Sequence, residues 1–123
     1  MVKKIEDNAF ESSSIESINI PVTVTEFGNN VFNSCNKLKS IQIPQNSPIF
    51  SLGENAFFNT LIDKFDVPSK VKILHSSTFS ICDELKSITT KLVIFSFDLY
   101  EYFEVIKNIK QNRLKDNIWR LCW

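Results

Sequence analysis

Hydrophobic positions recur along this chain in fixed columns around a set of phenylalanines. Phe10, Phe32, Phe57 and Phe79 follow one another at intervals of 22, 25 and 22 residues. An apolar column lies five residues before each of them, at Ile5, Phe27, Leu52 and Leu74. The later apolar columns hold Ile15, Leu38, Ile62 and Leu85, then Ile18, Ile41, Phe65 and Ile88, then Ile20, Ile43 and Val67. Such self-similarity predicts repeats that stack on one another, because no single unit can bury its own apolar columns.

The end of each unit alternates apolar and polar residues, which predicts one short strand per unit. Pro21, Pro44 and Pro68 close three of the four units and should end those strands, since proline cannot donate to a strand ladder. The small residue followed by phenylalanine predicts a tight turn or short helix on the opposite side. A further column suits side chains that hydrogen-bond the local backbone at a turn; its members are Asn8, Asn30, Asn55 and Ser77.

The repeat fades after residue 91. Helical spacing appears instead at Phe95, Leu99, Phe103 and Ile106. We therefore predict a helical cap over residues 92–123 that covers the open edge of the last unit. Two alternatives stay open: a degenerate half unit echoed at Ile94, Phe97 and Tyr102, or an amphipathic segment helped by Trp119 and Trp123 that binds a partner or a membrane surface.

Composition narrows the function classes. Fourteen basic residues balance fourteen acidic ones, which argues against a dedicated nucleic-acid binder, because phosphate neutralisation needs surplus Lys and Arg. No apolar run approaches the roughly 20 residues of a membrane span, and the start turns acidic before any signal-like segment forms. Taken as given, the chain is expected to be cytoplasmic and to form one small folded domain.

Residue types that carry chemistry are few. The single histidine, His75, shares a column with Gly28 and Gly53 and is expected to be an exposed turn residue. Cys35 and Cys82 share another column two units apart, about 10 Å, which is too far for a disulfide. Both are expected to be small buried residues, and Cys122 near the terminus is left open. We predict no enzyme, no cofactor and no metal site; catalysis would need His75 in a cleft beside a thiol.

Three stretches carry a family resemblance. Residues 32–44 read FNSCNKLKSIQIP, residues 52–57 read LGENAF, and residues 79–88 read FSICDELKSI. They resemble the BspA-like leucine-rich repeats over about residues 2–91. The resemblance implies an α/β solenoid with short parallel strands on one face. It also implies a role like that of surface antigens and adhesins that bind host proteins or other cells, and hence a place at the cell surface.

The repeat columns divide the chain and locate a candidate binding face. Residues 1–91 are expected to hold about four units, beginning in mid-repeat, and residues 92–123 the cap. The implied function is a protein-interaction module that binds a protein or glycan through the outward positions of the strands. These are Ser17, Asn19, Ser40, Gln42, Lys64, Asp66, Ser87 and Thr89. The alternative is a structural fragment of a longer array with no activity of its own.

Overall fold

Eight short strands make up the regular structure of the part of the chain that the structure describes. The computed structural model describes residues 1–75, 77–89 and 94–95. The strands are β1 (Lys4–Ile5), β2 (Ser17–Asn19), β3 (Glu26–Phe27), β4 (Ser40–Gln42), β5 (Lys64–Asp66), β6 (Ile73–Leu74), β7 (Ser87–Thr89) and β8 (Ile94–Phe95). All their pairings are parallel. This part of the chain contains no helix. Of the tight turn or short helix expected around each phenylalanine, the structure shows the turn.

The strands form two rows, whereas the sequence predicted one. The main row consists of β2, β4, β5 and β7, in which β2 pairs with β4 and β5 with β7. No ladder joins β4 to β5 among these strands. The second row consists of β1, β3, β6 and β8, with an isolated bridge between Glu26 and Ser51. A second row arises because the segment before each phenylalanine is also extended, so its backbone groups pair with those of the next unit.

The phenylalanines that mark the repeat form a continuous stack through the core. Neighbouring rings of Phe10, Phe32, Phe57 and Phe79 have centroids 5.6, 5.7 and 5.9 Å apart and lie within 9° of parallel. Phe27 meets two of these rings edge-on, and Phe65 lies 4.8 Å from the ring of Phe57. Phe32 and Phe57 are fully buried. The prediction that these rings point inward is confirmed.

Left-handed backbone shapes the turn around each phenylalanine. The Asn column has positive φ in every unit, at Asn8, Asn30, Asn55 and Ser77. A second column four residues later does the same, at Ser12, Ser34, Asn59 and Ile81. Asn adopts this region more readily than most residues, since its short polar side chain lowers the cost. The Asn column is thus explained by backbone conformation, a different reason from the side-chain hydrogen bond that the sequence suggested.

Backbone hydrogen bonds join each turn to the next unit. The amides of Phe10 and Phe32 donate to Val31 and Ala56 oxygens, each over 3.0 Å. The Asp7 carboxylate accepts from the amide of Asn29 over 2.8 Å, and the Asn29 side chain repeats this with the amide of Glu54 over 2.9 Å. The turns of neighbouring units are therefore joined by hydrogen bonds, as the strands are.

Glycine is required where two units approach most closely. A Cβ atom added at Gly53 would overlap the carbonyl oxygen of Gly28, and one added at Gly28 would overlap the Asp7 carboxylate. The missing side chain at Gly28 is what lets Asp7 reach the amide of Asn29. The two glycines of the chain are thus fixed by contact between units.

The predicted C-terminal cap lies almost wholly outside the described residues. Its one described part is β8, where Ile94 and Phe95 pair with Ile73 and Leu74. Phe95, predicted to start a helical stripe, is therefore in a strand that extends the second row. The proposed division at residue 91 and the helix beyond Phe95 stay predictions.

Replacing one ring of the stack should destabilise the whole domain. Phe57→Ala removes a fully buried ring that contacts two stacked neighbours. We expect the free energy of unfolding to fall by about 3–5 kcal/mol in urea denaturation. Phe50→Ala is the matched control, because that side chain is 54% exposed. Similar losses at both positions would contradict the role given to the stack.

The turn of the fourth unit offers a stabilising change. Ile81 has φ 56°, a conformation that a β-branched residue adopts only under strain, and its side chain is 52% exposed. Ile81→Asn introduces the residue found at the equivalent Asn59, and we expect about 1 kcal/mol of added stability. Ile81→Val, which keeps the branched side chain, should give no gain. A loss of stability with Asn would show that the Ile81 contacts outweigh the backbone strain.

Candidate functional site

The main strand row presents one regular outward face. In each strand the central residue points toward the core, where Phe65 and Ile88 are buried and Ile18 and Ile41 are partly buried. The flanking residues point the other way, as alternation along a strand requires. After three of the strands the chain turns back at proline, where the carbonyl oxygen of each proline accepts from the amide three residues later, at Val24, Ser47 and Val71. This confirms that proline ends those strands.

All eight residues predicted from the sequence lie on this face. Parallel pairing places Ser17 beside Ser40 and Asn19 beside Gln42. It likewise places Lys64 beside Ser87 and Asp66 beside Thr89. Six of the eight are exposed, and Ser40 and Ser87 are half-buried. The face is divided into two paired halves, because β4 and β5 share no ladder.

A column of charged residues directly before the strands of the main row escaped the sequence prediction. The residue before each strand is Glu16, Lys39, Asp63 and Lys86 in turn. The backbone amide of Lys39 donates to the backbone carbonyl oxygen of Glu16 over 2.9 Å, and that of Lys86 to the backbone carbonyl oxygen of Asp63 over 2.7 Å. The first three are exposed and Lys86 is half-buried. Each of these residues lies between two inward positions of its unit, so the column could have been recognised from the sequence. Strict alternation of inward and outward residues within each strand selects other positions and therefore did not include it.

The two buried cysteines hold neighbouring units together. Both thiols are free, and each donates to the carbonyl oxygen of the preceding unit's phenylalanine: Cys35 to Phe10 over 2.9 Å and Cys82 to Phe57 over 3.0 Å. Burial raises the pKa of both, in Cys82 to about 11. A thiol with so high a pKa carries little thiolate at neutral pH and is a poor nucleophile. The expectation of burial is confirmed, and the hydrogen bond is an addition.

His75 does not lie as the sequence suggested. It is half-buried, not exposed, and its carbonyl oxygen accepts from the hydroxyl of Thr78 over 2.9 Å. Among the described residues, no three His, Cys, Asp or Glu side chains are grouped so that they could hold a metal ion.

Among residues 1–75, 77–89 and 94–95, the chain forms no helix with the length and hydrophobicity that a membrane crossing requires.

The architecture and its columns define a leucine-rich repeat protein of the BspA type. Residues 3–121 match the family described as the BspA type leucine rich repeat region, in six copies. The chain therefore belongs to this family. The match also runs beyond the four units recognised in the sequence into the last third of the chain. No functionally curated protein gives a significant match.

Solved structures of similar fold include bacterial surface proteins. The pneumococcal vaccine antigen PcpA is 31% identical with a TM-score of 0.69, over 73% of this chain and 22% of that one. A leucine rich cell surface protein of Faecalibacterium prausnitzii is 26% identical with a TM-score of 0.56, over 73% and 31%. A leucine-rich repeat protein of Bacteroides capillosus, 22% identical with a TM-score of 0.61 over 73% and 64%, supports the fold alone. The matched region thus spans about a fifth of PcpA.

Alkaline pH should destabilise the protein through Cys82. Its pKa rises from 9.0 to about 11 on folding, so its contribution is full below pH 9 and is lost as the pH rises through 11. Cys82→Ser keeps a hydroxyl donor to the Phe57 oxygen but does not titrate in this range. As the pH rises, we therefore expect the free energy of unfolding of the parent to fall by about 2 kcal/mol more than that of the variant. Urea denaturation of both proteins between these pH values measures the difference. Parallel pH profiles would exclude the effect.

Proposed function

We propose that this chain is a non-enzymatic protein-interaction module whose binding face is the outward side of the main strand row. The observation that carries the proposal is the burial pattern of β2, β4, β5 and β7, with inward apolar residues between outward polar ones. Backbone pairing fixes the positions of the outward side chains without involving them. These side chains are consequently available for a partner.

The chemistry of the face suits recognition by hydrogen bonds supplemented by charge. The β2–β4 half offers small hydroxyl and amide groups, whereas the β5–β7 half adds Lys64 and Asp66 on one strand. Four strands span on the order of 15 Å. A single copy therefore offers less than the roughly 800 Å² per partner of a standard interface, and binding should be weak or strengthened by repetition.

The family supports this role and a place at the cell surface. One similar protein is described as a cell surface protein and another as a vaccine antigen, and both are much longer than the matched region. The helical C-terminal cap predicted from the spacing of apolar residues and the solenoid implied by the resemblance belong to the same proposal. In a solenoid, the stacked strands present their outward side chains side by side on one continuous surface.

A purely structural role within a longer array is the second candidate. Its support is the coverage, since most of this chain corresponds to 22% of one similar protein and 31% of another. A segment of this kind would contribute stacking surface to neighbouring repeats and bind nothing itself. The two candidates differ in whether outward substitutions on the main row change binding.

Removing the charged pair of the face should weaken capture of a partner without unfolding the domain. The immobilised full chain and the immobilised Lys64→Ala/Asp66→Ala variant are each incubated with cell extract, and the proteins that they retain are compared. Proteins retained by the parent alone are then purified and their Kd values measured. We expect a loss of about tenfold, as for interface residues of moderate weight.

Lys4→Ala is the matched control, because Lys4 is also exposed but lies on the second row. It should bind as the parent does, and all three proteins should unfold at the same urea concentration. Equal capture by the parent and by substitutions across all eight positions of the face would refute the binding role and favour the structural one.

A further inference from the structure

Exposed hydrophobic side chains collect on one side of the repeat. Among the described residues, five large hydrophobic side chains are more than half exposed, and four of them lie in the segments that lead into the second strand row: Met1, Val2, Val22 and Phe50. We call the solvent-facing side of these segments, residues 1–4, 22–26, 48–51 and 69–72, the lead-in surface. Single exposed apolar residues are common, but a group of them on one side marks an interaction surface.

Burial shows where the side chains of the lead-in surface point. Ile49 and Val71 are at most 1% exposed and point into the core. The residues next to them point away from the core, as successive residues of an extended chain do. Phe50 follows Ile49 and is 54% exposed, and both neighbours of Val71 are exposed lysines, Lys70 and Lys72.

Hydrogen bonds hold these segments side by side. The backbone amide of Thr25 donates to the carbonyl oxygen of Lys3 over 2.7 Å, and that of Phe50 donates to the carbonyl oxygen of Thr25 over 2.9 Å. Equivalent side chains of neighbouring units therefore follow one another about 5 Å apart. The Lys72 ammonium donates to the carbonyl oxygen of Ser69 over 3.2 Å. An ammonium group has three donors, so two remain for a ligand.

Positive charge is concentrated on the same surface. Four of the eight described lysines belong to it, whereas Glu26 is its one member among the ten described acidic residues. The lysines are Lys3, Lys4, Lys70 and Lys72. Parallel pairing places Glu26 beside Lys4, and the glutamate is half-buried. The lead-in surface is thus basic on a chain whose formal net charge is zero.

We propose that the lead-in surface binds the face of a lipid bilayer that contains anionic lipid. The lysines contact the phosphates of the headgroups, and Phe50 enters the boundary between headgroups and acyl chains. This binding is peripheral and uses residues outside the main row. It therefore adds to the proposed function and does not depend on it.

The combination of exposed apolar and basic side chains favours a bilayer over a dissolved polyanion. An acidic peptide or a nucleic acid would pair with the lysines but leave Phe50 and Val22 in water. A bilayer surface accommodates both kinds of group, because apolar side chains reach the acyl boundary while ammonium groups stay among the headgroups. A bilayer without anionic lipid would satisfy the apolar side chains alone.

The expected binding is reversible and depends on salt. Each lysine near an anionic membrane surface strengthens binding by about fivefold. The attraction is screened over about 8 Å at physiological ionic strength. Binding should therefore be strongest at low ionic strength and fall as salt is added.

Vesicle sedimentation with the full chain tests the proposal. At low ionic strength, the parent should bind vesicles of phosphatidylglycerol mixed with phosphatidylcholine much more tightly than vesicles of phosphatidylcholine alone. Lys70→Ala/Lys72→Ala should bind the mixed vesicles at least about tenfold more weakly. Lys37→Ala/Lys39→Ala is the matched control and should bind as the parent does. These two lysines are also exposed and flank the buried Leu38, but they lie outside the lead-in surface.

Two further variants separate the contributions of Phe50 and Glu26. Phe50→Ala should weaken binding about fivefold, through loss of about half of the burial that a phenylalanine can gain. Glu26→Gln should strengthen binding about fivefold, because it removes the one acidic group of the surface. Such a gain cannot arise from a disturbed fold.

Several outcomes would overturn the proposal. One is equal binding to vesicles with and without phosphatidylglycerol, and another is an equal loss in the two lysine double variants. Unchanged binding by Phe50→Ala, or no gain with Glu26→Gln, would exclude the contacts assigned to this surface. Binding to soluble poly-glutamate without binding to vesicles would assign the surface to an acidic peptide instead.

Discussion

The contact between phenylalanine rings of neighbouring units is the interaction on which the rest of the structure depends. Strands of only two or three residues cannot hold a sheet together by themselves. The rings of Phe32 and Phe57 lie at the centre of the stack and are closed off from solvent on all sides. Their burial supplies the stabilisation that the short ladders lack, and it sets the units in register so that those ladders can form.

The stack is possible only because each turn brings its ring inward within a few residues. Left-handed residues on both sides of the ring, such as Asn30 and Ser34, close the turn. Hydrogen bonds from one turn to the next, including those of the Cys35 and Cys82 thiols, then keep the units at a constant separation. Gly28 and Gly53 mark where this separation leaves no room for a side chain.

Because the backbone is held in this way, the outward side chains of the main row are not needed to stabilise the fold. Side chains such as Asn19 and Gln42 are exposed, and their strands are paired through backbone atoms alone. Recognition can therefore vary from repeat to repeat without cost to the fold. Membership of the BspA-type family therefore identifies the architecture of this chain. The family does not identify the partner, because the partner depends on the outward side chains.

The sequence by itself determined the units, the inward phenylalanines, the strands of the main row and the eight outward residues between them. These follow from the spacing of apolar and polar residues, which is a local property of the chain. The tertiary structure decided the second strand row, the thiol hydrogen bonds and the break between β4 and β5. Each of these depends on which atoms of one unit meet those of the next. Contact of that kind is fixed only when the units stack, so no pattern within a single unit could have revealed it.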